Sequence, residues 1–265
     1  MARKRIDTVL VVKVDADNSR RVPDRLVVEE PLSIQLDGHL VATTMRTPGH
    51  DYELAVGFCF SDGLLHGSSV TGVRYCANGS AVDSEFNVVT VETGGRAPVP
   101  TPRLGNTSSS CGLCGSQALD ELVERISPLD TTKIPSFSVA TVLSLPEVVR
   151  SEQDLFDDTG AVHAAAAIDP DGRALIVRED VGRHNAVDKV VGRLLLDGQL
   201  PANELALFVS GRASFEMVQK AWAAGFGTVV SVSAPTALAV QTAKRAGVTL
   251  YGFVRDRQAV RYSPG

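Results

Sequence analysis

Two cysteines, Cys111 and Cys114, stand in the run Ser110-Cys111-Gly112-Leu113-Cys114-Gly115, at C-x-x-C spacing. A thiol does chemistry as its thiolate, and a helix amino terminus or a nearby cation lowers its pKa. The next residues, Ser116 to Val123, have the apolar spacing of a short helix, which places the pair at a helix start. Gly112 and Gly115 remove bulk beside the sulfurs, so that a partner's active site can approach. Upstream, Gly94 to Asn106 is rich in Gly and Pro and reads as an irregular arm. Three chemistries suit such a pair. It is half of a zinc site, to be completed by His163 or His184; a thioredoxin-like redox couple; or a carrier whose thiolate accepts a sulfane sulfur as a persulfide. The first lacks a recognised second spacing, and the second lacks a strand directly before the motif. Spacing alone does not choose among them.

A second constellation lies in the carboxyl-terminal half, where strand-like and helix-like runs alternate. Ligands of open α/β sheets bind outside the carboxyl ends of the strands. The residues following the expected strands are Glu179 to Asn185, Ser210 to Ser214, Ser233 to Thr236 and Arg255 to Arg257. Three of these turns run into a helix start, where free N–H groups and the helix dipole favour an anion. Arg183, Arg212 and Arg255 add planar forks suited to phosphate. One such turn is a helix cap beside a surface arginine; four at one sheet edge point to a pocket for an anionic ligand, with Ser210 and Thr236 at the junctions. His184 is preferred to His163 as a functional histidine because its neighbours are polar and it follows a strand. Asp180 is placed to cap the next helix or to orient Arg183.

The totals narrow the classes. The chain has 265 residues, 44% hydrophobic and 22% charged, with net charge −5, so no global basic field argues for nucleic acid. No unbroken apolar run approaches the ~18 residues of a membrane helix, and Met1 to Val12 lacks the pattern of a signal peptide. The expectation is a cytoplasmic protein that engages neither nucleic acid nor membrane. Four cysteines do not make a disulfide scaffold. Cys59, within Ala55 to Phe60, and Cys76, after Val73-Arg74-Tyr75, read as small core residues.

The elements that must position these groups follow from periodicity. A strand is expected over 8–14, and a hairpin over 31–42 turns at Asp37-Gly38. A helix over 51–60 is closed by Gly63, and strands follow over 70–76 and 86–92. This gives a small α+β domain over 1–100, an arm with the C-x-x-C and a short helix over 101–135, and an α/β domain over 136–265. In the last, helical runs over 139–143 and 148–150 flank a capped restart at Ser144-Leu145-Pro146. Strands over 164–169 and 174–178 pair around Pro170-Asp171-Gly172. A helix over 185–196, a strand over 205–209, a helix over 215–224, a strand over 228–232, a helix over 238–246 and a strand over 248–253 complete a three-layer α/β arrangement.

Ser110 to Gly115, Glu179 to Lys189 and Ser210 to Lys220 together resemble the FdhD family of accessory sulfurtransferases needed to make active formate dehydrogenase. Thr159 to Ala165 and Thr249 to Phe253 join the match, which runs from about Glu29 to Tyr262. The resemblance implies a sulfur carrier that takes persulfide sulfur from a cysteine desulfurase. The recipient would be the molybdenum cofactor, as bis(molybdopterin guanine dinucleotide), before its insertion into formate dehydrogenase. It places the persulfide on Cys111 with Cys114 assisting. It maps the guanine dinucleotide onto Phe253, Val254, Arg255, Asp256, Arg257 and Gln258, and implies a homodimer with no tightly held metal of its own. It also implies a cytidine-deaminase-like fold for the larger domain. Zinc deaminases need H-x-E before P-C-x-x-C; here His163-Ala164-Ala165 lacks the glutamate and follows the cysteines, so that machinery is absent. The competing readings are a zinc-stapled, non-catalytic cofactor chaperone and a thiol–disulfide oxidoreductase.

Overall fold

A computed structural model of the chain describes residues 3–76, 81–82, 84–100 and 126–263. Strands β1 (Ile6–Val14) and β2 (Ser19–Val27) form a separate two-stranded antiparallel ribbon. β2 was not expected from sequence: its polar run Ser19-Arg20-Arg21 and internal Pro23 hide a strand that is exposed on both faces. A four-stranded sheet has the order β4-β3-β6-β5, built from β3 (Glu30–Leu36), β4 (His39–Arg46), β5 (Gly72–Tyr75) and β6 (Val88–Glu92). The β3–β4 hairpin turns at Asp37-Gly38, both at positive φ. Leu32, Ile34, Leu36, Val89 and Val91 face helix α1 (Asp51–Ser61) in one core.

Helix α1 is buried nearly all round because it is covered from two sides. Its second neighbour is α4 (Arg183–Leu196), and the two cross at Gly57 and Gly192. A methyl group on Gly57 would sit 1.8 Å from the Asp188 carbonyl oxygen, and one on Gly192 would sit 1.8 Å from that of Glu53. Only glycine permits this approach. Cys59, in the same helix, is fully buried, and burial pushes its thiol well above the ordinary range, as expected of a core residue. Cys76 departs from the same expectation: it lies beyond β5, half-buried and at positive φ, with Sγ 2.7 Å from the Ser84 hydroxyl.

The six-stranded sheet has the order β12-β11-β10-β9-β7-β8. Its strands are β7 (His163–Ile168), β8 (Ala174–Asp180), β9 (Ala206–Val209), β10 (Thr228–Ser231), β11 (Thr249–Arg255) and β12 (Gln258–Ser263). β9, β10 and β11 are parallel, while β7 runs against both β9 and β8. Residues alternate between the faces. Ala165, Ala167, Leu207 and Val229 pack under α4, α5 (Phe215–Ala224) and α6 (Ala237–Ala246). Ala164, Ala166, Phe208, Val230 and Val254 pack on the other face against α2 (Val139–Arg150). The chain is thus a mixed α/β protein with several sheets.

Helix α2 corrects the expectation of two short helices with a restart at Ser144-Leu145-Pro146. It is continuous, capped by Ser138, with Pro146 inside. Burial of Val142, Leu145 and Val149 on one stripe outweighs the hydrogen bond that proline cannot donate. Besides β2, one helix and one strand escaped the sequence reading: α3 (Asp154–Thr159), one acidic turn and a half, and β12. No helix among the described residues is long and apolar enough to cross a membrane.

Candidate functional site

Because β7 is antiparallel to its neighbours, the amino end of β7 lies at the same sheet edge as the carboxyl ends of β8, β9, β10 and β11. His163 therefore joins the four turns singled out from sequence. The turns are tied into one arc. A methyl group on Gly211 would stand 3.4 Å from the His163 ring and 3.7 Å from the Arg183 side chain, so the turn after β9 presses its backbone against both. Ser231 Oγ donates to Gly211 O at 2.7 Å, and Thr236 N–H donates to Ala213 O at 3.0 Å, joining the turns after β9 and β10. Phe253 N–H donates to Ser233 O at 3.1 Å, which adds the β11–β12 hairpin.

The turn before α4 is fixed by Asp180, which has no exposure. Its Oδ1 accepts from Gly182 N–H at 2.8 Å and Asn185 Nδ2 at 2.9 Å; its Oδ2 accepts from Thr47 N–H at 3.2 Å and meets Lys189 Nζ at 2.7 Å. Asp180 therefore holds the helix start rather than Arg183. Lys189 Nζ also donates to Thr47 O and Glu179 O, while Val181 N–H donates to Thr47 Oγ1. Through Thr47 the amino-terminal unit becomes part of the frame of the edge. Glu179 turns the other way, and its carboxylate accepts from Leu155 and Phe156 N–H, seating α3.

Arg183 opens α4, its N-cap Gly182 provides no side-chain cap, and Arg183 Nε is buried without a hydrogen-bond partner. His184 Nε2 lies 2.6 Å from Glu216 Oε2. That hydrogen bond, against the effect of burial, holds the Glu216 carboxyl below its ordinary range. Burial, then the charges of Arg183 and His184, push the His163 imidazole below its ordinary pKa and favour its neutral form. Ser210 Oγ accepts from Ala164 N–H at 2.9 Å.

Arg212 and Thr236 are exposed, the latter capping α6 through Ala239 N–H. Phe253 to Gln258 form the tip of a β-hairpin rather than an open loop. Asp256 and Arg257 have φ of 51° and 57°, a primed turn made without glycine, and Phe253 also has φ of 51°. Such backbone strain gathers at functional sites. The Arg255 guanidinium lies 5.7 Å from the Phe253 ring centroid, and Arg255, Asp256, Arg257 and Gln258 are exposed. Val254 differs: its side chain belongs to the core beside Phe208, so only its backbone can meet a ligand. The edge thus gathers Arg183, His184 and Ser210 towards β7, and Arg212, Thr236 and the hairpin tip towards β12. Cys111 and Cys114 lie outside the described residues. Among the described residues no group of three His, Cys, Asp or Glu side chains could hold a metal ion.

Sequence reasoning passed over Glu216, Lys189 and Thr47. The pairing of His184 with Glu216 had a signal: each is the second residue of a helix following a strand of the same sheet. It also passed over a cavity of about 650 Å³ between α2, α3 and the edge, lined by His163, Ser210, Val181, Phe208, Gln153 and Phe156 among others.

The model of the FdhD/NarQ family matches residues 27–265. The chain belongs to the FdhD/NarQ family. A protein of Corynebacterium efficiens named sulfur carrier protein FdhD is 44% identical, over 91% of this chain and 90% of its own length. A protein of the same name from Streptomyces avermitilis is 47% identical, over 88% of this chain and 85% of its own. A crystal structure from Desulfotalea psychrophila, named for formate dehydrogenase accessory function, covers 98% of both chains with a TM-score of 0.77 at 24% identity, which shows a shared fold.

Proposed function

We propose that this FdhD/NarQ chain is a sulfur carrier that serves the maturation of formate dehydrogenase. In this reading Cys111 receives sulfur from a cysteine desulfurase and delivers it to the molybdenum cofactor in its bis(molybdopterin guanine dinucleotide) form. The single observation that carries it is the identity, over most of the chain, to relatives named sulfur carrier protein FdhD. The turn edge supplies the complementary physical support: uncapped helix N–H groups, Arg183, and the exposed Arg212 and Arg255 suit a ligand bearing phosphates.

Loading is thiol exchange. The Cys111 thiolate attacks the terminal sulfur of the desulfurase persulfide, a new S–S bond forms, and the donor cysteine leaves as thiolate. Delivering sulfide rather than sulfane sulfur needs two electrons. Cys114 can supply them by attacking the Cys111 sulfur, which expels hydrosulfide and leaves a Cys111–Cys114 disulfide. The cofactor is cargo, held by its guanine dinucleotide at the hairpin tip Phe253 to Gln258 and at the turns carrying Arg183, His184, Ser210, Arg212 and Thr236. The larger sheet with its helices is read as a cytidine-deaminase-like domain that has become a binding platform, and the working form as a homodimer.

Intact-mass measurement after incubation with a cysteine desulfurase and cysteine tests the reading. A single added sulfur, lost in the Cys111→Ala/Cys114→Ala variant, is expected. No added sulfur, or sulfur that survives the double substitution, refutes it. Stoichiometric zinc that disappears in Cys111→Ser would support a zinc-stapled chaperone instead.

A further inference from the structure

Apart from Val27, the β1–β2 ribbon precedes the stretch matched by the FdhD/NarQ family model. Its two edges differ. Val28 N–H donates to Arg5 O, so in this regular antiparallel pair the odd residues of β1 turn their backbone groups to β2 and the even ones turn theirs outward. On β2 the outward residues are then the odd ones. Pro23 has no N–H to offer there, and the Arg25 N–H donates to Asp24 Oδ1 at 3.1 Å. That edge is closed. On β1 the Thr8 N–H donates to Asp7 Oδ1 at 2.9 Å, but the outward N–H and C=O groups of Leu10, Val12 and Val14 meet no further strand among the described residues. The same three residues expose their side chains, by 68%, 56% and 73%, in one apolar row beside Pro23 and Arg21. Native proteins cover or blunt such an edge unless they use it.

The other face of the ribbon carries an unbalanced charge. Lys13 and Arg20 stand directly opposite each other, an unfavourable pairing, and neither forms an ion pair with a described residue. Asp24, the nearest acid on that face, lies four residues along β2 from Arg20. Asp15 in the turn already accepts from the N–H groups of Asp17 and Asn18.

We propose that the outer edge of β1 takes up, by strand addition, an extended segment of a partner protein in which apolar and acidic residues alternate. The backbone of such a guest bonds to Leu10, Val12 and Val14, and its side chains then point to the two faces in turn. Those on one face continue the apolar row. Those on the other come beside Lys13, with Arg20 behind it, where carboxylates are favoured. A two-stranded ribbon is marginal by itself, and a third strand stabilises it. The charge selects the partner: a second copy of the ribbon brings its own Lys13 and Arg20 in place of carboxylates. The assignment does not depend on the sulfur-carrier reading.

Calorimetric titration of the full chain with two synthetic peptides of equal length tests it, one alternating valine with glutamate and the other valine with lysine. The expected result is saturable binding of the glutamate peptide, at least about tenfold tighter than the lysine peptide. Val12→Pro removes the central outward N–H, as Pro23 does on β2, and should weaken binding at least about tenfold while the ribbon persists. Lys13→Glu/Arg20→Glu should reverse the preference between the peptides. Thermal unfolding shows whether each variant is folded, and the charge reversal keeps the test decisive if Val12→Pro is not. No binding of either peptide, equal affinity for both, or unchanged affinity in a folded Val12→Pro variant overturns the proposal. A dimer that Val12→Pro dissociates in analytical ultracentrifugation would give the edge to a second copy. Co-sedimentation with phosphatidylserine vesicles, lost on charge reversal, would give it to a lipid surface. Either result also overturns the proposal.

Discussion

Replacing Lys189 by Met probes the joint on which the edge rests. Lys189 has no exposure, and its amino group lies 2.7 Å from Asp180 Oδ2, 3.1 Å from Thr47 O and 3.2 Å from Glu179 O. Burial works to lower its pKa, and the Asp180 carboxylate works to keep the ammonium charged. Methionine fills similar length without the charge. It leaves the Asp180 carboxylate buried with its remaining partners, Gly182, Asn185 and Thr47, and no counter-charge in direct contact. Removing one partner of a buried pair costs about 3–5 kcal/mol. Set against a total stability of about 5–15 kcal/mol, that is a large fraction. The melting temperature of a chain this size should fall by roughly 6–20 °C, at about 2–4 °C per kcal/mol. Urea unfolding of the single variants and of Lys189→Met/Asp180→Asn measures the coupling. Because the double variant removes both charges, it should recover at least about 1.5 kcal/mol relative to the sum of the singles. A loss below about 1 kcal/mol for Lys189→Met, or additive singles, would refute the claim that this pair holds the turn before α4.

At the α1–α4 crossing, Gly192→Ala should destabilise the fold although alanine is the better helix former by about 1 kcal/mol. Its methyl group would lie 1.8 Å from the Glu53 carbonyl oxygen, so the helices must separate. A higher melting temperature would mean that they do not touch there. Glu53 supplies a pH signature. Burial alone would raise its carboxyl, but the bidentate Arg178 guanidinium and then His50 hold it at about 2, against an ordinary value of 4.5. A depressed carboxyl contributes stability that is complete above pH 4.5 and is lost as the pH falls towards 2, about 3 kcal/mol at most. Unfolding free energy measured from pH 6 to about pH 2.5 should therefore fall more steeply in the unaltered chain than in Glu53→Gln, and parallel curves would exclude this carboxyl as the source. Arg212→Ala and Arg255→Ala should each weaken guanine-nucleotide binding while leaving persulfide loading intact, and binding should decline with salt. Unchanged calorimetric affinity in both would remove them from the ligand site.

Much of the edge was legible because it depends on local patterns. Each β–turn–α unit announces itself through an apolar run, a polar turn and a 3.6-residue stripe. Hence α5 was expected over 215–224 and is found over Phe215–Ala224. What was not legible depends on contacts distant in sequence. Glu53 and Arg178 are 125 positions apart, and Thr47 and Asp180 are 133 apart. Nothing in either local run indicates the partner. β2 was hidden because an exposed ribbon needs no apolar alternation, and β12 because Gln258 to Ser263 reads as a polar tail. Gln153 was invisible for a related reason. Its sequence neighbours are polar, and only the packing of α2 and α3 against the sheet buries it.

The geometry of the larger sheet also bears on how a persulfide could meet the edge. α5 and α6 begin at the edge and end on the opposite side of the sheet. There Trp222 Nε1 donates to Ser127 O at 2.9 Å, and Leu129 N–H donates to Ala246 O at 2.9 Å. The chain that follows the C-x-x-C is therefore anchored about one helix length away from the turns, roughly 15 Å for α5 at about 1.5 Å per residue. The 13 residues from Cys114 to Ser127 have a covalent reach of at most about 45 Å. Length does not limit delivery. In the sulfur-carrier reading, this anchor lies on the side of the sheet remote from the turns proposed to bind phosphate. In that reading, such a separation would let the proposed desulfurase donor and a bulky dinucleotide cofactor use different surfaces. It also explains why the edge is built so firmly. If the thiols travel, the target must not, and Asp180, Lys189 and Thr47 fix it to both sheets at once.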